Sequence, residues 1–61
     1  MMKKGNKFKL IGRREVFTVV GIVQGALGPM AIGQSGKHET GVLLAHQGYT
    51  WEKVSNNEVT L

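Results

Sequence analysis

Side chains able to perform acid–base, nucleophilic or metal chemistry are scarce in this sequence. Cysteine and aspartate are absent, and four glutamates, two histidines and one tyrosine remain. His38 beside Glu39, together with His46, offers groups of the kind that bind zinc, although a loop histidine and a strand-end histidine are the plainer interpretation. Ser35 and Ser55 have no neighbouring base to activate them. The sequence therefore predicts a protein that is not an enzyme and holds neither metal nor cofactor, while a site shared between subunits stays open.

Positive charge is concentrated at the N-terminus. Residues 1–14 contain six cations and no acid, whereas the rest of the chain contains two cations and four acids, for a net charge of +4. Basic grooves with aromatic side chains bind single-stranded nucleic acid through phosphate attraction and base stacking. The predicted RNA- or DNA-contacting residues are Lys3, Lys4, Lys7, Lys9, Arg13, Arg14, Tyr49 and Trp51. Two alternatives stay open: the lysines keep the protein soluble and protect an edge strand, and Trp51 belongs to the core.

No residue between Glu15 and Lys37 carries a formal charge. The stretch is long enough to span a bilayer as a helix, but its five glycines and its proline disfavour a helix. Arg13-Arg14 before an apolar run is similar to a twin-arginine export signal, yet the phenylalanine comes one place too late and no clean cleavage site follows. We therefore expect two buried strands joined by a glycine-rich bend, in a cytoplasmic protein without a membrane segment.

The pattern of apolar and polar residues predicts strands rather than helices. The predicted strands cover residues 7–11, 15–24, 30–32, 41–46 and 49–54, with loops at residues 25–29 and 33–40. Phe8 and Phe17 fall on core-facing positions, and Gly21 indicates a bulge or a barrel corner. Asn56-Asn57 suits a hairpin turn before a return strand over residues 58–61, and a short helix over residues 51–55 is the competing interpretation. Strong apolar character on both faces of residues 16–23 predicts one core face and one face that contacts a partner or a second subunit.

Two segments carry a resemblance to a known fold. Lys4-Gly5-Asn6-Lys7-Phe8-Lys9-Leu10, followed by Val16-Phe17-Thr18-Val19-Val20-Gly21-Ile22, resembles the first two strands of SH3-like small barrels, including KOW-type modules. Those folds place a Gly-Asp-like turn before a basic, alternating strand, and Asn6 stands here where aspartate is common. The resemblance implies five short, strongly bent strands and a binding role. Ligands of that fold include RNA, DNA, ribosomal surfaces and peptides, so the resemblance leaves the partner open.

These observations together predict an all-β, five-stranded, SH3-like barrel over residues 7–61, preceded by a flexible basic N-terminus over residues 1–6. A chain of 61 residues without cysteine has little core and no disulfide, so we expect a homo-oligomer. The expected function is non-enzymatic nucleic-acid binding through the basic N-terminal strand. The alternative is a protein-binding accessory or inhibitor of the kind carried by phages and mobile elements, which acts by occupying the surface of a partner protein.

Overall fold

The computed structural model describes residues 2–54 as a single antiparallel sheet of five strands in the order β4-β3-β2-β1-β5. The elements are β1 Lys7–Leu10, β2 Val16–Gly25, β3 Gly28–Ser35, β4 His38–Leu43, a 3-10 turn Leu44–His46, and β5 Trp51–Val54. The prediction of an all-β, five-stranded fold is confirmed. The predicted turn at 56–57 and return strand at 58–61 lie outside the described residues.

The sheet bends at β2. The pairing of β2 with β3 shifts register between Val19 and Gly21, which confirms the bulge predicted at Gly21. A bulge adds one residue to one strand and sharpens the local bend. The two outermost strands of the order also come together, because Trp51 Nε1 on β5 donates a hydrogen bond to the carbonyl oxygen of Leu43 on β4 at 2.7 Å. The sheet is therefore rolled up on itself.

Three local predictions were wrong. The loop predicted at residues 25–29 is a two-residue turn at 26–27, so β2 runs to Gly25 and β3 starts at Gly28. The polar loop predicted at residues 33–40 belongs mostly to β3 and β4, joined by a turn at 36–37. Gly36 adopts a positive φ of 60° in that turn, a conformation that glycine adopts without steric cost. The strand predicted over residues 41–46 ends at Leu43. The strand predicted over residues 49–54 is present as β5, and residues 51–54 do not form the competing helix.

Aromatic side chains form the centre of the core. The buried residues are Met2, Phe8, Phe17, Val19, Ala31, Val42 and Trp51. The Phe8 ring stacks on Phe17 at a centroid distance of 5.7 Å and meets the edge of Trp51 at 5.8 Å. Gly33 lies against this cluster, because a Cβ there would come within 2.6 Å of the Phe8 ring. The prediction that Phe8 and Phe17 are core residues is confirmed.

Candidate nucleic-acid interface

The six N-terminal cations lie on β1 or in the segments directly before and after it. Lys4 lies in the turn before the strand, and Arg13 and Arg14 lie in the loop after it. Lys7 and Lys9 alternate with the fully buried Phe8, so they project from the outward face of β1. Lys3 precedes Lys4, and its backbone nitrogen donates to Asn6 Oδ1 at 3.0 Å. We call these six residues, Lys3, Lys4, Lys7, Lys9, Arg13 and Arg14, the basic strip.

The N-terminal end of the basic strip is held on the sheet. Met2 is buried in the core, and the Gly5 backbone nitrogen donates to the Val19 carbonyl oxygen at 2.9 Å. Asn6 donates its backbone N–H to the Lys3 carbonyl oxygen at 3.0 Å, which closes a turn. Lys3 and Lys4 are therefore carried at a defined place beside the start of β1.

The two lysines of β1 keep their charge accessible. Lys7 Nζ donates to the Thr18 hydroxyl on β2 at 3.1 Å, which leaves its positive charge unbalanced by that contact. Lys9 Nζ lies 3.5 Å from Glu52 Oε2 on β5, with both side chains well exposed to solvent. Exposed ion pairs contribute about 0–1 kcal/mol. A phosphate group can therefore replace Glu52 as the partner of Lys9 at little cost.

The loop after β1 and the turn before β5 meet at one end of the sheet. The Ile11 backbone nitrogen donates to the Thr50 carbonyl oxygen at 2.9 Å. Tyr49, next to Thr50, is 80% exposed, and its ring meets the edge of the His46 ring at a centroid distance of 6.4 Å. An exposed aromatic side chain thus lies at the same end of the sheet as Arg13 and Arg14.

Trp51 does not take part in this surface. It is 2% exposed, packs against Phe8 and donates its indole N–H to the Leu43 carbonyl oxygen. The prediction of Trp51 as a stacking platform was wrong, and the core alternative is correct. The physical reason is the alternation of β5, in which Trp51 pairs with Leu10 on the inward face while Glu52 pairs with Lys9 on the outward face.

A third segment reaches the same end of the sheet through a side-chain contact. Glu15 Oε2 lies 2.8 Å from His38 Nδ1, at the first residue of β4. The hydrogen bond from His38, followed by one from Ser35, lowers the pKa of the Glu15 carboxyl below its ordinary value. This contact joins residues 23 positions apart, and a loop over residues 33–40, as the sequence predicts, does not bring them together. A hairpin predicted over residues 33–40 would have placed His38 near Glu15.

The three segments define what we call the loop end: residues 11–15, 36–38 and 48–50. His38 and Glu15 resemble half of a hydrolytic triad, but the Ser35 hydroxyl bonds to Glu15 and not to the imidazole. A nucleophile activated by histidine must lie within hydrogen-bond reach of that histidine, so this arrangement does not activate Ser35. Within residues 2–54, no group of three His, Cys, Asp or Glu side chains is placed to hold a metal ion.

The opposite end of the sheet has a different character. The β2–β3 hairpin over residues 20–30, here called the uncharged hairpin, exposes Val20, Ile22, Val23 and Leu27. Leu27, in the turn, is 82% exposed. Phe17 and Val19 on β2 are buried, whereas Val16, Val20, Ile22 and Val23 are exposed. The contact of the second face of β2 with a partner or a second subunit stays a prediction. In the part of the chain described, no helix is long and apolar enough to cross a bilayer.

No protein-family model, no curated protein and no solved structure matches this chain. The functional inference therefore depends on three features of the molecule itself: the basic strip along β1, the exposed Tyr49 at the loop end, and the uncharged hairpin at the other end.

Proposed function

We propose that this protein is a non-enzymatic binding module that holds single-stranded RNA or DNA along β1. The observation that carries the proposal is the placement of six cations, with no acid among residues 1–14, along the course of one strand that ends beside an exposed tyrosine. Single strands bind to grooves that pair a positive surface with an aromatic ring. The basic strip supplies the charges and Tyr49 supplies the ring.

The strip suits the backbone of a nucleic acid more than its bases. Lysine and arginine attract phosphates and release the counterions that surround them, which makes affinity fall steeply with salt. Contacts of this kind position the strand without reading its sequence. Stacking of one base on Tyr49 adds about 1–3 kcal/mol for any base. We therefore expect binding with weak sequence preference.

The fold supports a binding role. The five strands, the bulge in β2 and the hydrogen bond between β5 and β4 are compatible with a small barrel, the kind of fold that the resemblance implies. A fold of this type does not determine its ligand, so the assignment to nucleic acid depends on the charges. The side chains of β1 and of the loop end are attached to one hydrogen-bonded sheet. The proposed binding surface is therefore formed before the ligand binds.

The test is a salt titration of oligonucleotide binding. Fluorescence anisotropy of labelled single-stranded RNA and DNA is measured with the wild type and with a variant in which Lys7, Lys9, Arg13 and Arg14 are changed to Gln. Each lost phosphate contact lowers the slope of log affinity against log salt by about 0.7, so the variant should lose about 3. Lys53→Gln is the matched control, because Lys53 is exposed but pairs with Phe8 and not with the outward-facing lysines.

Two results would contradict the proposal. One is an affinity for RNA and DNA that does not change with salt. The other is an unchanged slope in the fourfold variant, provided that its circular dichroism spectrum matches the wild type.

A second candidate function has its own observation. Val20, Ile22, Val23 and Leu27 are exposed on a hairpin that carries no charge. Exposed apolar patches on soluble proteins mark contacts with other proteins. An uncharged surface on a basic protein avoids acidic polymers and suits a partner protein with an apolar, neutral surface. The protein would then act as an accessory or inhibitor that occupies this partner surface.

Copurification separates the two candidates. A tagged wild-type chain is isolated from its source cell at low salt, together with a Val23→Ser, Leu27→Ser variant and a Val16→Ser control, since Val16 is also exposed but lies outside the hairpin. One stoichiometric protein that is lost with the hairpin variant supports the second candidate, and retained nucleic acid supports the first. Light scattering of the purified chain detects the third outcome, in which the hairpin contacts a second copy.

A further inference from the structure

The loop end gathers cations that are far apart in the sequence. The Ile11–Thr50 backbone hydrogen bond joins the loop after β1 to the turn that carries Tyr49. The 2.8 Å contact between Glu15 and His38 joins the same loop to the turn at 36–37. Lys37 in that turn is exposed. Arg13 and His38 therefore lie near Glu15. Lys37 is next to His38 in the turn at 36–37, and Tyr49 lies on the turn that is joined to the loop after β1.

Glu15 does not cancel this positive charge. Its carboxylate accepts hydrogen bonds from His38 and Ser35, so it is occupied by groups that lie on β3 and β4. This one carboxylate lies near the permanent cation of Arg13 and the imidazole of His38. The exposed Lys37, next to His38 in the chain, adds a second permanent cation to the loop end. The side chain of His38 is 73% exposed. With Nδ1 held by Glu15, its second ring nitrogen is left on the solvent side, where it can donate to a phosphate oxygen when the ring is protonated.

We infer that the loop end is a phosphate-binding site of the nucleic-acid surface, formed by Arg13, Lys37 and His38, with the neighbouring base stacked on Tyr49. The inference rests on the proposed function and extends it to Lys37 and His38, which lie outside the basic strip. The ligand is a single-stranded nucleotide segment whose backbone phosphate lies between the turn at 36–37 and the loop after β1. The strip then has unequal ends: Lys3 and Lys4 supply charge alone, whereas the loop end supplies charge together with an aromatic ring.

The experiment compares single cations. Anisotropy titrations with labelled single-stranded RNA and DNA are run from about 50 to 200 mM salt on Lys37→Gln, Arg13→Gln and Lys53→Gln. Lys37 lies in an exposed turn, so its substitution leaves the fold intact, which circular dichroism verifies. We expect Lys37→Gln and Arg13→Gln each to lower the salt slope by about 0.7, and Lys53→Gln to match the wild type. Inorganic phosphate should compete less well with the nucleic acid in Lys37→Gln than in the wild type.

A companion variant tests the base contact. Tyr49→Ala should weaken binding of oligonucleotides while the salt slope stays unchanged, because stacking releases no counterions. If Lys37→Gln binds as the wild type does while substitutions in β1 weaken binding, the loop-end site is wrong and the proposed function stands. If the wild-type chain binds neither RNA nor DNA at the lowest salt, both are overturned.

Discussion

The two ends of the sheet expose opposite kinds of side chain. Around β1 the aromatic residues are buried and the cations face outward, with Phe8 fully buried between Lys7 and Lys9. On the uncharged hairpin the apolar residues themselves are exposed, and Leu27 reaches 82%. Among residues 2–54, the buried core residues are Met2 and members of all five strands, but none of them lies within residues 20–30. The comparison teaches that the core and the uncharged hairpin are separated: β1 buries an aromatic ring on one face and carries cations on the other, whereas the hairpin exposes its apolar side chains and adds no residue to the core.

The largest expected effect tests this separation directly. Phe8→Ala removes a ring that contacts Phe17 and Trp51, and such truncations cost about 3–5 kcal/mol. A chain of this length has a free energy of unfolding of about 3–9 kcal/mol in total. We therefore expect Phe8→Ala to lose about a third or more of its free energy of unfolding and to unfold at a much lower urea concentration, whereas Leu27→Ala unfolds at the wild-type urea midpoint. Urea titration followed by circular dichroism measures both. Similar losses for the two variants would break the comparison.

A pair of glycine substitutions compares a packed position in the core with an open position on β2. Gly33→Ala places a Cβ within 2.6 Å of the Phe8 ring and 2.9 Å of Phe17 Cβ, and overpacking of this kind costs about 1–3 kcal/mol. At Gly21 a Cβ meets nothing within 4 Å and the φ angle is not positive. Gly21→Ala should therefore stabilise the protein by about 0.4–1 kcal/mol through the unfolded chain. Thermal unfolding should give shifts of opposite sign. A Gly33→Ala variant as stable as the wild type would contradict the packing described at Gly33, and a destabilised Gly21→Ala variant would contradict the open space described at Gly21.

The contact between the outer strands gives a smaller effect. Trp51→Phe keeps an aromatic ring against Phe8 but removes the indole N–H that reaches the Leu43 carbonyl oxygen. The loss of one hydrogen bond costs about 1 kcal/mol. Tyr49→Phe is the control, because Tyr49 is exposed and its change should leave the urea midpoint unaltered. A Trp51→Phe variant as stable as the wild type would show that β4 and β5 are held together by packing alone.

Alternation predicted the strands that carry a clear polar and apolar pattern. Phe8 between Lys7 and Lys9 fixed the inward face of β1, and Gly21 marked the bulge of β2. The hairpin over residues 33–40 escaped prediction for a physical reason. Gln34 and Glu39 pair across β3 and β4 and their side chains bond to each other at 3.3 Å on an exposed face. Polar residues on the solvent side of a two-strand pair leave no periodic apolar signal.

The candidate site was predictable in its charges but not in its assembly. The count of cations in residues 1–14 identifies the basic strip from the sequence alone. The loop end depends on register, because Ser35 pairs with His38 only when β3 and β4 form a hairpin. Trp51 shows the converse error: its type suggested a platform, but its position opposite Leu10 buried it. Residue type predicts which interactions a side chain can make, and the pairing of the strands decides whether that side chain lies on the surface or in the core.

The smallest expected effect concerns acid, and it separates the two ends by their titratable groups. The hairpin over residues 20–30 has no ionisable side chain, whereas the loop end contains the Glu15–His38 contact. Because the pKa of Glu15 is lowered in the folded protein, its contribution to stability is complete above the ordinary value of 4.5. Below that value the unfolded chain binds the proton first, so the contribution falls as the pH drops through the folded pKa.

Thermal unfolding midpoints measured from pH 6 down to pH 3, roughly the range in which free carboxyl groups titrate, test this. The wild type should lose more of its melting temperature across the range than Glu15→Gln, in which the amide has no proton to bind. Glu39→Gln is the matched control on β4, because it leaves the Glu15–His38 contact intact. The part of the fall in melting temperature that comes from this contact should therefore be the same in Glu39→Gln as in the wild type. Equal declines in the wild type and in Glu15→Gln would mean that the carboxylate does not hold the loop after β1 against β4. The turn that carries Lys37 would then be placed beside the loop after β1 by the pairing of β2, β3 and β4 and not by the Glu15 side chain.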